Sequence, residues 1–128
     1  MKLKANELTG AALDWAVAKC IYEPDDVVVC EGRVFAYDDA TKGFNPATNW
    51  ALGGPIIERE GIALDCLRTC FVIDSWVAAS EMVREGDYDS PVIEFTGSTP
   101  LIAAMRCYVA SKLGDEVEVP EELKGVTA

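Results

Sequence analysis

Between Gly10 and Cys20 the apolar residues Leu13, Ala16, Val17 and Cys20 recur at helical spacing, with Asp14 and Lys19 off the stripe and Thr9 placed to cap the first turn. Trp15 borders that stripe and is assigned to the core. Glu23-Pro24-Asp25-Asp26 breaks the period. Val27 to Cys30 and Arg33 to Tyr37 then read as two strands of an antiparallel hairpin around Glu31-Gly32.

From Asp38 to Asn49 the residues are polar or turn-forming, which predicts a loop of about a dozen residues ending at Trp50. Gly53-Gly54-Pro55 fits a tight turn with Pro at the first position of a short helix, Ile56 to Glu60, stopped by Gly61. Ile62 to Leu64, Cys70 to Ala78 and Val92 to Phe95 have the β-branched and aromatic content of strands. In the second of these, Phe71, Ile73 and Ser75 alternate against Val72, Asp74 and Trp76, so both faces are covered in part and Trp76 is assigned to the core. The last helix has Thr99 as cap, Pro100 at its first position, and Gly114 beyond its end. It carries Leu101, Ala104, Met105, Tyr108 and Val109 on one face, widened by Ile102.

These elements predict an α+β fold: a mostly antiparallel sheet of four or five strands sandwiched by two main helices and one short helix. Residues 1–128 make one domain, in which 115–128 form an acidic tail docked in part through Val117, Val119, Pro120 and Leu123. Uncovered sheet edges predict a homodimer.

Composition narrows the function. The chain has 22 Asp and Glu against 11 Lys and Arg, no His, and a net charge of -11. That field repels phosphate backbones and anionic membranes, which argues against duplex nucleic acid or a membrane as partner. Without His, the commonest general base is missing and Ser/His or Cys/His activation is impossible, leaving only carboxylates such as Asp14, Glu58 and Glu60 for catalysis. The expectation is a protein that is not an enzyme. Cys20, Cys30, Cys66, Cys70 and Cys107 form an odd set with no export segment ahead of them, and no Cys-x-x-Cys pair exists. They read as free thiols of a reducing cytosol acting as small hydrophobes, with no metal and no cofactor.

One stretch, Asn45 to Glu60, crowds turn formers and a large aromatic against a helix start. Thr48, Asn49, Trp50, Gly53, Gly54 and Arg106 are the candidate ligand-binding residues. Trp50 offers a flat face for a base, amides near Gly53 and Gly54 can cradle phosphate, and Arg106 can clamp an anion with two donors. As a plain connector, the same stretch would use Trp50 to plug the core.

Three ordered blocks resemble the NinX-like family of small bacteriophage proteins. They are Leu8-Thr9-Gly10-Ala11-Ala12-Leu13-Asp14-Trp15-Ala16-Val17-Ala18, Thr48-Asn49-Trp50 to Pro55-Ile56-Ile57-Glu58, and Thr99-Pro100-Leu101-Ile102-Ala103-Ala104-Met105-Arg106 with Leu113-Gly114. The resemblance implies a phage or prophage origin, the cytoplasm of the infected host as the place of action, and an α-β-α sandwich. It brings no catalytic residues. In that context the first hypothesis is a non-catalytic accessory protein that sequesters a nucleotide-like small molecule, such as a host antiviral signal. The alternative is an acidic protein-interaction module that inhibits or redirects a host protein, with Phe44, Trp50 and Tyr88 as exposed anchors. Support of recombination or replication is a fourth idea, at odds with the net charge.

Overall fold

The computed structural model describes residues 2–23, 26–30, 33–36, 43–67, 75–80 and 95–123. Helix α3, Pro100–Leu113, lies at the centre. Thr99 Oγ1 accepts the Ile102 amide at 3.2 Å, Pro100 sets the first turn, and Gly114 ends the helix at a φ of 91°. Its buried residues include Ala103 and Cys107 as well as Leu101, Ala104, Met105, Tyr108 and Val109. Seven of its fourteen residues are therefore buried, all within 101–109, which is more than the single face that the apolar spacing implied and is the pattern of a helix wrapped by neighbours along about its first two and a half turns.

Helix α1, Gly10–Ile21, packs against α3 and buries Leu13, Ala16 and Val17 in the core. The sheets surround these two helices. Strand β1, Lys2–Lys4, pairs antiparallel with β7, Glu116–Glu118. The hairpin β2–β3, Val27–Cys30 with Arg33–Ala36, has Val29 opposite Val34. Strands β4, Ile62–Leu67, β5, Ser75–Ser80, and β6, Phe95–Gly97, follow one another in an antiparallel sheet that covers α3. One-turn 3₁₀ helices at Ala5–Glu7 and Glu121–Leu123 complete the chain.

The α+β class and the antiparallel pairing follow the sequence. The seven strands of the described residues divide among three sheets, whereas the patterning suggested one sheet of four or five. The expected strand segments 70–74 and 92–94, Tyr37, and residues 38–42 of the long loop lie outside the described residues. Among residues 115–123, Val117, Val119 and Leu123 are buried and Glu116–Glu118 form strand β7, which the acidic composition concealed.

The largest departure concerns Gly53-Gly54-Pro55. These residues form no turn: helix α2 runs unbroken from Trp50 to Glu60, with Pro55 in its interior. Packing overrides the local preference. A Cβ at Gly53 would stand 2.6 Å from Leu101 Cδ2 and 2.6 Å from the Pro46 carbonyl oxygen, so only glycine lets α2 approach α3 and the preceding turn so closely. Gly61 stops the helix as expected, in the left-handed conformation at a φ of 63°.

Two aromatic assignments also change. Trp15 and Trp76 are half-buried at the edge of the core rather than inside it. Asp14, placed by the spacing off the apolar stripe, is only 8% exposed.

Candidate functional site

The segment ahead of α2 is held from within and from behind. The Thr48 and Asn49 amides donate to the Asn45 carbonyl at 3.2 and 3.0 Å, closing a turn whose Pro46 and Ala47 are buried. The Asn49 side chain then caps α2 by accepting the Ala51 amide at 3.0 Å, while the Asn49 carbonyl accepts the Leu52 and Gly53 amides at 3.1 and 2.9 Å. Thr48 Oγ1 and Asn49 Nδ2 reach back to Asn45, each at 3.4 Å. From this scaffold Trp50 projects with 54% of its surface exposed. It is not a core plug.

The same bonds correct the phosphate cradle. The amides of Ala51, Leu52 and Gly53 already have acceptors, so the glycines offer no set of unpartnered donors. Gly53 is buried against Leu101 and Pro46, and Gly54 sits beside the Trp50 ring. Arg106 is likewise engaged by main chain. Its Nε donates to the Leu8 carbonyl at 2.8 Å and its Nη1 to the Thr96 carbonyl at 2.6 Å, so the planar fork ties the entry of α1 to strand β6. Of the six candidate residues, five lie together on the turn and α2, and Arg106 is occupied elsewhere. Phe44, proposed as an exposed anchor, is 8% exposed and meets Tyr22 edge-to-face at 5.6 Å. Tyr88 lies outside the described residues.

Residues 4–112 match the family described as Bacteriophage P22, NinX. The chain belongs to this family. No curated protein matches it. The three blocks that carry the NinX resemblance meet in space as a closed ring of contacts. Asp14 of the first block holds Ala47 beside the second, Gly53 within the second packs on Leu101 of the third, and Arg106 of the third grips Leu8 of the first. Much of the NinX signature is therefore architectural. Trp50 and, to a lesser degree, Leu113 are its large hydrophobic members that face solvent.

Asp14 is the polar centre of this ring. Its Oδ1 accepts the Ala47 amide at 3.0 Å, and burial pushes its carboxyl up to about 6 in spite of that bond. The folded chain thus holds the Asp14 proton more tightly than the unfolded chain does. Between pH ~4 and pH ~6 the folded state carries more of that proton, so stability falls as pH rises, by about 3 kcal/mol from this group. Asp14→Asn is expected to remove this slope from urea-unfolding stabilities measured across the same range; a difference between the two proteins that stays constant with pH would contradict the assignment.

Other reactive groups are quiet. Burial pushes the Cys20 thiol up to about 12 and Cys107 to about 11, and Cys20 Sγ donates to the Ala16 carbonyl. Cys30 and Cys66 are free thiols, and Cys70 lies outside the described residues. Glu60 sits 3.6 Å from Arg59 and 3.8 Å from Lys112. Among the described residues no group of three or more His, Cys, Asp or Glu is placed to hold a metal ion, and no helix is long and apolar enough to cross a membrane.

One feature escaped the sequence reading. A groove of about 600 Å³ lies between α1 and the docked tail, lined by Trp15, Lys19, Leu113, Val119, Pro120 and Glu121 among others. Lys19 sits over the Trp15 ring at 5.6 Å from its centroid. The spacing of Trp15 and Lys19, one helical turn apart on the edge of the apolar stripe, is the signal that could have marked it.

Proposed function

We propose that this NinX-family phage protein is a non-catalytic binding protein that docks on a basic face of a host protein, in the host cytoplasm, with Trp50 as its anchor. The exposed indole carries this reading: a Trp with 54% of its surface in water is fixed on a capped helix in a chain of net charge -11. Indoles dominate the energy of many interfaces, and one held rigidly before binding loses little conformational freedom on docking. The acidic surface supplies long-range attraction to basic partners.

The test is capture from host lysate. Trp50→Ala is expected to keep its stability within about 0.5 kcal/mol, because the ring is largely solvent-exposed. It should weaken a stoichiometric partner's affinity by about 30-fold or more, the loss of a central anchor. A partner held equally by Trp50→Ala, or no partner at all, removes this reading.

A nucleotide-like ligand stacked on Trp50 is the second reading, and Gly54 favours it. The nearest atom to a Cβ at Gly54 would be Trp50 Cε3 at 3.9 Å, so residue 54 itself places no side chain against the ring. Isothermal titration against a panel of nucleotides separates the two, since heat that disappears in Trp50→Ala selects the small molecule and no heat with any nucleotide dismisses it.

A further inference from the structure

We propose that Asp14 is a positioning residue for Trp50: its carboxylate, buried in helix α1, grips the main chain at Ala47 and so sets the direction in which the indole is presented. The functional meaning of this role rests on the reading of Trp50 as the recognition residue.

The other hydrogen bonds of this element run among residues 45–53. Asn45 accepts from residues 48 and 49, and Asn49 accepts from Ala51, Leu52 and Gly53. These bonds fix the shape of the turn and the start of α2 without fixing either to the rest of the protein. Attachment comes from apolar burial of Pro46, Ala47 and Ile56, from the contact of Gly53 with Leu101, from the Phe44 amide on the Val34 carbonyl ahead of the turn, from Arg59 on the Tyr108 hydroxyl and Lys112 beside Glu60 at the far end of α2, and, within the turn itself, from Asp14. Apolar burial is non-directional, whereas a hydrogen bond to a carboxylate prefers a narrow range of distance and angle. The bond to Asp14 spans 33 residues of sequence at 3.0 Å and lands three residues before Trp50.

The choice of residue supports the same conclusion. Burying a carboxylate costs free energy that an apolar side chain of similar size would not incur, so overall stability is a poor reason for an Asp at this place. A defined acceptor aimed at one amide is what Asp supplies and a hydrophobe does not. A small tilt of the turn would be carried into α2, whose first residue is Trp50.

Fluorine NMR on protein labelled with 5-fluorotryptophan tests this without any partner. The chain has three Trp, and Trp50→Phe assigns the Trp50 resonance. Asp14→Ala is expected to move that resonance by more than its linewidth while Trp76 keeps its position. Asp14→Asn, whose side-chain carbonyl still accepts from Ala47, is expected to leave Trp50 in place. An unmoved Trp50 resonance in Asp14→Ala, joint movement of Trp50 and Trp76, or equal displacement in both variants overturns the proposal. Should Asp14→Ala not fold, amide exchange in the unaltered protein decides. Ala47 is expected to exchange about tenfold or more slower than an unbonded amide, and exchange at the unbonded rate refutes the role. A protein that captures no partner but passes these tests would refute the Trp50 reading and leave the coupling standing.

Discussion

Gly53→Ala is expected to lower the stability of the fold by about 2 kcal/mol, whereas Gly54→Ala, one residue on in the same helix, is expected to raise it by about 1 kcal/mol. Both replacements gain the same helix propensity, because Ala loses less backbone entropy than Gly. The difference is space. At Gly53 the new methyl would meet Leu101 Cδ2 and the Pro46 carbonyl oxygen, each at 2.6 Å, and the second is main chain that cannot rotate away. Either α2 lifts from α3 or the turn at residues 45–49 shifts, and each releases buried surface. At Gly54 the first atom met is Trp50 Cε3 at 3.9 Å, an ordinary contact. Urea midpoints of the two variants beside the unaltered chain measure the contrast, and equal shifts for both would show that the close approach at Gly53 is wrong.

Arg106→Ala is expected to cost about 2 to 3 kcal/mol, because it strands two carbonyls that now accept from a charged donor. One of them, on Leu8, belongs to a fully buried residue at the entry of α1; the other, on Thr96, lies in β6 near solvent and contributes less. Arg106→Lys should recover under half of the loss. An ammonium group on a flexible stem cannot hold Nε and Nη1 in the fixed planes that point to two different strands of main chain. Thermal unfolding of both variants measures this. A loss below about 0.5 kcal/mol for Arg106→Ala would mean that the fork is a surface ornament and would free it again as a ligand clamp.

The parts of the fold that sequence disclosed are those where local chemistry and tertiary demand agree. Helix α3 has Thr99, Pro100 and Gly114 at its ends and an apolar period between them, and nothing in its surroundings contradicts these signals. The hairpin β2–β3 is a similar case, whereas helix α1 keeps its apolar period although Thr9 makes no side-chain capping bond. Where the two disagree, the local signal loses. Gly-Gly-Pro is a turn by preference and becomes helix interior, packed so closely that a Cβ at Gly53 would stand 2.6 Å from Leu101 Cδ2. Asp14 looks like a polar-face residue until its partner 33 positions away is known. Arg106 looks like a free cation for the same reason. The candidate site was legible as a large aromatic beside a helix start, but the helix expected from Ile56 begins at Trp50 itself, with Asn49 as its cap. Its anion-binding half was not, because an amide or guanidinium is available to a ligand only when the fold has left it without an acceptor, and composition does not record that.

Strand β1 has consequences for how the chain comes to be folded. Residues 2–4 find their partner at residues 116–118, with Leu3 opposite Val117 and lysines opposite glutamates on either side. During synthesis β1 has nothing to pair with until residues 116–118 have left the ribosome. This pairing therefore closes only when β7 arrives, and a nascent chain released before that point would leave Leu3 and a row of main-chain groups uncovered, ready to associate with another unfinished copy.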